Sequence, residues 1–304
     1  MLRAAAIVER LGVPTASIIG SGFLKQAEVI LKGIGVPLAI GVYPGAPMVD
    51  SEAELMRKVE ESLAPGLLKG LTGDAPVDAD KGDEPQPGSV VFSGSYDEVQ
   101  EHFYNNLWTD GLPVTPPTRE RVDAFLAFTD RKPDEVLRVI PQEGREASIL
   151  SIAIAGVMAG CRPEYMPVLI AIVDALCDPL YRVEDSGSTP GWEPVVIVNG
   201  PIIKELDLNF GQGMMRVGRR ANTSIGRFVR LYLRNICGFR IPPGAGDKGS
   251  IGQTFLVAMA EDEDSAAAIG WPTYGEDRGF KKGENIVTVH RDRKSTRLNS
   301  SHLG

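Results

Sequence analysis

The chain has 304 residues, 43% of them hydrophobic and 24% charged, with a formal net charge of −8. That is a globular composition, which excludes disordered and fibrous classes, and the length allows two domains with ordinary cores. The acidic balance argues against a general binder of nucleic acid or of acidic membranes, because such partners favour a broad basic field. The opening MLRAAAIVERLGVPTASII lacks the apolar segment and small-residue cleavage site of a secretory signal. The most apolar region, 147–176, is interrupted by Gly160-Cys161-Arg162-Pro163-Glu164, leaving pieces short of the roughly 20 residues that a membrane helix needs. Three cysteines, Cys161, Cys177 and Cys237, follow no C-x-x-C or zinc spacing. Their odd number opposes a disulfide framework, so a reducing cytoplasm is the expected compartment.

In chain order, 4–11 reads as the end of a helix stopped by Gly12, with Val13-Pro14 entering a strand. A domain that begins inside a helix is expected to be part of a longer protein. Short apolar strands over 15–19 and 37–43 alternate with helices over 23–32 and 51–71, a pattern of parallel βαβ units. Gly20-Ser21-Gly22 sits at a strand-to-helix turn but lacks a full G-x-G-x-x-G, and a plain turn is the simpler account. Ser51 with Glu52 and Glu54 caps the last helix of this segment.

The landmarks Gly12-Val13-Pro14, the helix start at Phe23, Tyr43-Pro44-Gly45 and the acid-led helix from Ser51 together carry a resemblance. Residues 1–72 are similar to the final part of the UGSC-like domain, and more distantly to the selenoprotein B component of glycine and betaine reductases. The resemblance implies a Rossmann-like fold and a selenol- or thiol-dependent chemistry. The U/C-G-S-C motif that carries that chemistry is missing from this sequence, so this piece alone is expected to lack the redox nucleophile.

Residues 73–90 are rich in Gly, Pro and Asp and read as a solvated linker. The larger α/β domain is expected over 91–290. Ser95 caps its first helix, and in LWTDGLPVTPPTRERV a turn at Asp110-Gly111 leads through Pro113, Pro116 and Pro117 to a helix capped by Thr118. That stretch is either a structural corner or a rigid wall placing Trp108 and Asp110 in a pocket. Two apolar helices, 147–159 and 164–177, flank Cys161, which is a candidate reactive thiol if Arg162 or the helix end at Glu164 lowers its pKa. Cys177 and Cys237 read as buried apolar residues. GLPVTPPTRERV, AIAGVMAGCRPEYMPVLIAIVDAL, VIVNGPI, GRRANTSIGR and the AEDED run, in that order, resemble the uncharacterised large domain that accompanies UGSC-like domains. The last stretch, 291–304, contains DRKSTRLNSSH, which resembles translated sequencing adapter and is set aside.

Charge is concentrated in 195–240. Between Leu208 and Gly246 there is no Asp or Glu, yet seven arginines lie there: Arg216, Arg219, Arg220, Arg227, Arg230, Arg234 and Arg240. A short strand ends at Asn199-Gly200, and a Gly-rich loop then feeds a helix capped by Asn222 or Thr223. Free N–H groups at that helix start, with the forked donors of Arg219 and Arg220, suit a carboxylate or phosphate. Arg227, Arg230 and Arg234 share a helical face and are expected to pair with Glu261, Asp262, Glu263 and Asp264.

The binding residues are therefore Trp108, Asn199, Gly200, Arg219, Arg220, Asn222 and Thr223, with Asp110 and Cys161 as catalytic candidates. No metal-ligand spacing is present, no cofactor is specified, and the lack of interleaved exposed aromatics opposes nucleic acid. The expected function is a selenol- or thiol-dependent oxidoreductase acting on a small anion, with a redox partner protein and a homo-oligomeric state as possible company. The alternative is a non-catalytic binding module for a small carboxylate or phosphate.

Overall fold

A computed structural model of the chain describes residues 2–24, 27–28, 31, 38–73, 86–140, 144–183, 193–239 and 257–292. The fold is mixed α/β and divides into two compact units. The first comprises Met1–Pro87 with the short stretches Pro141–Gly144 and Pro242–Asp247. The second comprises Gly88–Ile140, Arg145–Ile241 and Lys248–Gly304.

In the first unit, helix α1 (Leu2–Arg10) ends at Gly12, whose φ of 81° is a left-handed value that glycine adopts without strain. Strands β1 (Ala16–Gly20) and β2 (Ala39–Tyr43) pair in parallel, Ala16 opposite Ala39 and Gly20 opposite Tyr43. The expected helix between them lies partly outside the described residues. The helix expected over 51–71 is interrupted. It runs as α2 (Glu52–Lys58), opened by a reciprocal Ser51–Glu54 capping box, then a π-helical turn over Val59–Leu63, then α3 (Ala64–Thr72). Gly66 and Gly70, one turn apart, let α3 lie directly on β2, since a β-carbon at Gly70 would stand 2.3 Å from that of Ala39.

The second unit opens with α4 (Tyr96–Asn105), capped by Ser95 and Glu98, and α5 (Arg119–Leu126), capped by Thr118. An antiparallel hairpin of β3 (Val136–Ile140) and β4 (Arg145–Ser148) leads into α6 (Ile149–Ala159) and α7 (Met166–Cys177). Both helices are apolar around most of their circumference and are accordingly buried. The left-handed Gly160 (φ 79°) ends α6.

Strand β5 (Glu193–Asn199) is followed by α8 (Ile202–Glu205) and α9 (Arg220–Asn235), then by β6 (Met259–Ala260), α10 (Glu263–Ala268), α11 (Tyr274–Asp277) and β7 (Ile286–Asp292). The sheet order is β6-β5-β7, with β6 parallel and β7 antiparallel to β5. Helix α9 is strongly amphipathic. Its apolar face (Ile225, Phe228, Val229, Leu231, Tyr232) joins α6, α7 and the inner side of β5 in one continuous core, and its arginines lie on the other face. Among the described residues no helix is long and apolar enough to cross a membrane.

Candidate functional site

Helix α9 starts at Arg220, ahead of the residues expected to cap it. Arg219 takes the cap position with extended backbone (φ −82°, ψ 126°) and makes no side-chain capping bond. The Thr223 hydroxyl accepts from Gly218 N–H at 3.1 Å, tying the Gly-rich loop to the first turn. Asn222 is fully buried and fully engaged. Its Oδ1 accepts from Asn209 N–H at 2.7 Å, and its Nδ2 donates to the carbonyls of Asn209 and Ala258 at 3.0 and 2.9 Å. Asn222 is thus a clamp between the loop and the segment entering β6, with both amide donors used inside the fold and no exposed surface for a ligand. That corrects its assignment as a binding residue.

The arginine row on α9 also finds partners other than those expected. Arg227 donates through Nε and Nη2 to Asp110 at 3.2 and 2.9 Å, and to the Pro113 carbonyl at 2.8 Å. Arg230 reaches the same carboxylate at 3.0 and 2.6 Å. One turn on, Arg234 Nε donates to the Leu107 carbonyl at 2.8 Å and Asn235 Nδ2 to that of Trp108 at 2.9 Å. Leu107 has φ 60°, a left-handed conformation that a leucine adopts only when its surroundings hold it there.

The expected pairing with the acidic run at 261–264 is replaced because β6 delivers that run to the end of β5, whereas the Leu107–Pro113 loop lies along α9. Burial raises the pKa of the Asp110 carboxyl, but the hydrogen bonds and charges of Arg227 and Arg230 outweigh burial and hold it below the ordinary value. It stays ionised between two cations. This makes Asp110 the anchor of the loop and not a proton-transfer group. Trp108 turns the other way, edge-on to Phe103 (5.5 Å) and His102 (5.4 Å), with His102 stacked on Phe92. The structure therefore does not place Trp108 and Asp110 together in a pocket, and the corner reading of this stretch describes it better.

Cys161 is buried, and burial pushes its thiol up to about 12 despite a hydrogen bond with Ser224 and the charges of Arg220 and Arg227. Arg162 pairs instead with Glu164 at 3.5 Å. Cys161 is thus a protonated thiol at neutral pH, which opposes a nucleophilic role. Cys177, pushed up to about 11, and Cys237 are buried as well.

No family model, curated protein or solved structure matches the chain. The geometry therefore carries the functional argument.

Two places on the second unit answer to it. The first is the amino end of α9. Among the described residues the nearest carboxylate to Arg219 is that of Asp207, at 3.9 Å between two exposed side chains, and the Arg220 guanidinium reaches only the Gly160 carbonyl at 3.4 Å. Ala221 and Asn222 of the first turn are buried, so the exposed donors at this end of α9 are the guanidinium groups of Arg219 and Arg220, beside the positive end of the helix dipole.

The second place is the carboxyl end of β5, where Asn199 and Gly200 prove to be bonded to acids. Asn199 Nδ2 donates to Glu263 at 3.0 Å and to Glu261, and Gly200 N–H donates to Glu263 at 2.8 Å. Both Glu261 oxygens accept Tyr274 N–H, at 2.9 and 2.8 Å. Gly200 is obligatory here: its φ is 95°, and a β-carbon would stand 2.3 Å from the Glu284 carbonyl oxygen. The assignment of Asn199 and Gly200 to an anion is corrected, since their donors are held by carboxylates. Asp262 caps α10 through Ser265 N–H, so the acidic run is a helix start. Among the described residues no group of three or more His, Cys, Asp and Glu side chains is placed to hold a metal ion.

His290, next to the adapter-like tail, is not among the residues expected at a site. It lies on β7 and bonds the Tyr274 hydroxyl, with its pKa held below the ordinary value by burial and by the charge of Arg278. The alternating IVTVH stretch was the available signal, obscured by its closeness to the adapter-like tail.

Proposed function

We propose that this chain binds a small carboxylate or phosphate at the amino end of α9, with Arg219 and Arg220 as its charged donors. The carrying observation is the division of the arginines. Arg227 and Arg230 are held by a buried carboxylate, while Arg219 and Arg220 stand at a helix start without a side-chain cap and, among the described residues, with no carboxylate in hydrogen-bond range. Anions favour such a terminus because the aligned peptide dipoles place partial positive charge there. Titration of inorganic phosphate and acetate against thermal unfolding tests this. Both should raise the Tm of the native chain beyond an equal concentration of chloride, and Arg219→Ala with Arg220→Ala should remove the difference. A phosphate effect that survives the double change would refute the assignment.

A second reading is favoured by the resemblance together with the parallel β1–β2 pair and the tight turn at Ser21–Phe23 that follows β1. In it the anion-binding unit serves a cytoplasmic UGSC-type oxidoreductase whose selenol or thiol is supplied by a motif that these 304 residues do not contain. Cys161 is then a bystander. Its raised pKa predicts alkylation by iodoacetamide at pH 8 far slower in the native chain than after unfolding in urea. Rapid native labelling at Cys161 would return that thiol to the mechanism.

A further inference from the structure

The sequence contains one Asn-Gly step, Asn199-Gly200, and it lies where β5 ends. An asparagine before a glycine is open to attack by the glycine nitrogen on its side-chain amide carbon, because glycine brings no β-carbon to crowd the ring that forms. Such a reaction needs a base for the peptide N–H and a proton for the departing ammonia. Here one atom touches both nitrogens. Glu263 Oε1 accepts from Gly200 N–H at 2.8 Å and from Asn199 Nδ2 at 3.0 Å. The shared acceptor holds the attacking and the leaving nitrogen on the same side of the turn. Being a carboxylate, it can take the proton from the first and deliver it to the second.

Glu261 also accepts from Asn199 Nδ2 and is itself fixed by Tyr274 N–H. Among the described residues Asn199 Oδ1 has no hydrogen-bond partner, so the side-chain amide is held through its leaving group alone. We propose that Asn199-Gly200 is a self-modifying site in which Glu263 is the base and proton carrier. The Gly200 nitrogen bonds to Asn199 Cγ while its proton passes to Glu263. The Cγ–Nδ2 bond breaks, and Nδ2 leaves with that proton as ammonia, so that a cyclic imide joins the two residues. Water then opens the imide to aspartate or isoaspartate. Asn199 is 1% exposed, so water reaches the ring slowly and the imide is the form that accumulates in the folded chain. Its formation removes the amide donor that Glu261 and Glu263 share, which weakens the tie between β5 and the start of α10.

The experiment is mass spectrometry of the full chain incubated at neutral pH, native and in urea, with the peptide spanning Asn199-Gly200 isolated after proteolysis. The native chain is expected to lose one ammonia from that peptide faster than the unfolded chain, which sets the rate of an unassisted Asn-Gly step. Unfolding should then convert the accumulated imide to aspartate and isoaspartate. Glu263→Gln, which keeps an oxygen for Gly200 N–H but not a base, should slow the loss about tenfold or more. Glu261→Gln leaves Glu263 against both nitrogens and should slow it less than about threefold. A native rate at or below the unfolded rate, or equal slowing by the two substitutions, would overturn the proposal.

Discussion

The arginine face of α9 and the acidic end of β5 belong to one folding unit and carry opposite charge, yet they do not neutralise each other. Arg227 and Arg230 take their carboxylate from Asp110, 117 and 120 positions earlier in the chain, and Glu261 and Glu263 take neutral donors from the end of β5. The first arrangement is a closed ion pair that fixes a loop. The second holds its glutamates with backbone and amide donors at a cleft that Lys204 and Lys282 also line. A run of like charges thus shows where a field is, while topology decides whether it is consumed internally or offered to a ligand.

The largest disruption is expected at the acidic end. Gly200→Ala places a β-carbon against the Glu284 carbonyl at a left-handed position, and a loss of about 4 kcal/mol is expected, measured by urea unfolding. A loss under about 1 kcal/mol would show that the turn is looser than described. On the basic side, Asp110→Ala leaves Arg227 and Arg230 without their shared carboxylate and frees the Leu107–Pro113 loop, for a loss of about 3 kcal/mol.

The pH dependence of Asp110 has a definite sign. Its folded pKa lies below the ordinary 3.8, so its contribution to stability is complete above that value and is lost as pH falls through the lower, folded-state value. Asp110→Asn should therefore flatten the acid limb of stability against pH below about pH 4, and an unchanged slope there would count against the two-arginine anchor. A smaller effect, about 2 kcal/mol, is expected from Asn222→Ala, which removes three side-chain hydrogen bonds from a buried site. Because the clamp ties the loop before α9 to the segment entering β6, that change should also weaken phosphate binding at the start of α9.

Local signals were legible in the sequence. Ser51, Ser95 and Thr118 were readable as helix caps, Gly160 as a turn and the β-branched run at β5 as a strand, because each depends on a few neighbouring residues. The mixed α/β class follows from the same patterns. The partners of charged groups were not legible, because the Asp110 pairs and the Asn199–Glu261 contact join residues 62 to 120 positions apart. Asn222 shows the limit most clearly. Its position beside two arginines at a helix start reads as a ligand contact until β6 is seen to bring Ala258 against it. Burial hid the character of Cys161 in the same way: the adjacent Arg162 promised a lowered pKa, and enclosure by α6, α7 and α9 raised it.

The division of labour among the arginines of α9 is tested most directly by measuring both Tm and phosphate affinity for Arg230→Ala and for the double change Arg219→Ala with Arg220→Ala. A crossed result is predicted: Arg230→Ala lowers Tm and leaves phosphate affinity within about twofold, while the double change leaves Tm near that of the unaltered chain and weakens phosphate about tenfold. Equal losses of affinity in both variants would mean that the cluster acts as one diffuse positive field, and the assignment of a site to the amino end of α9 would fail.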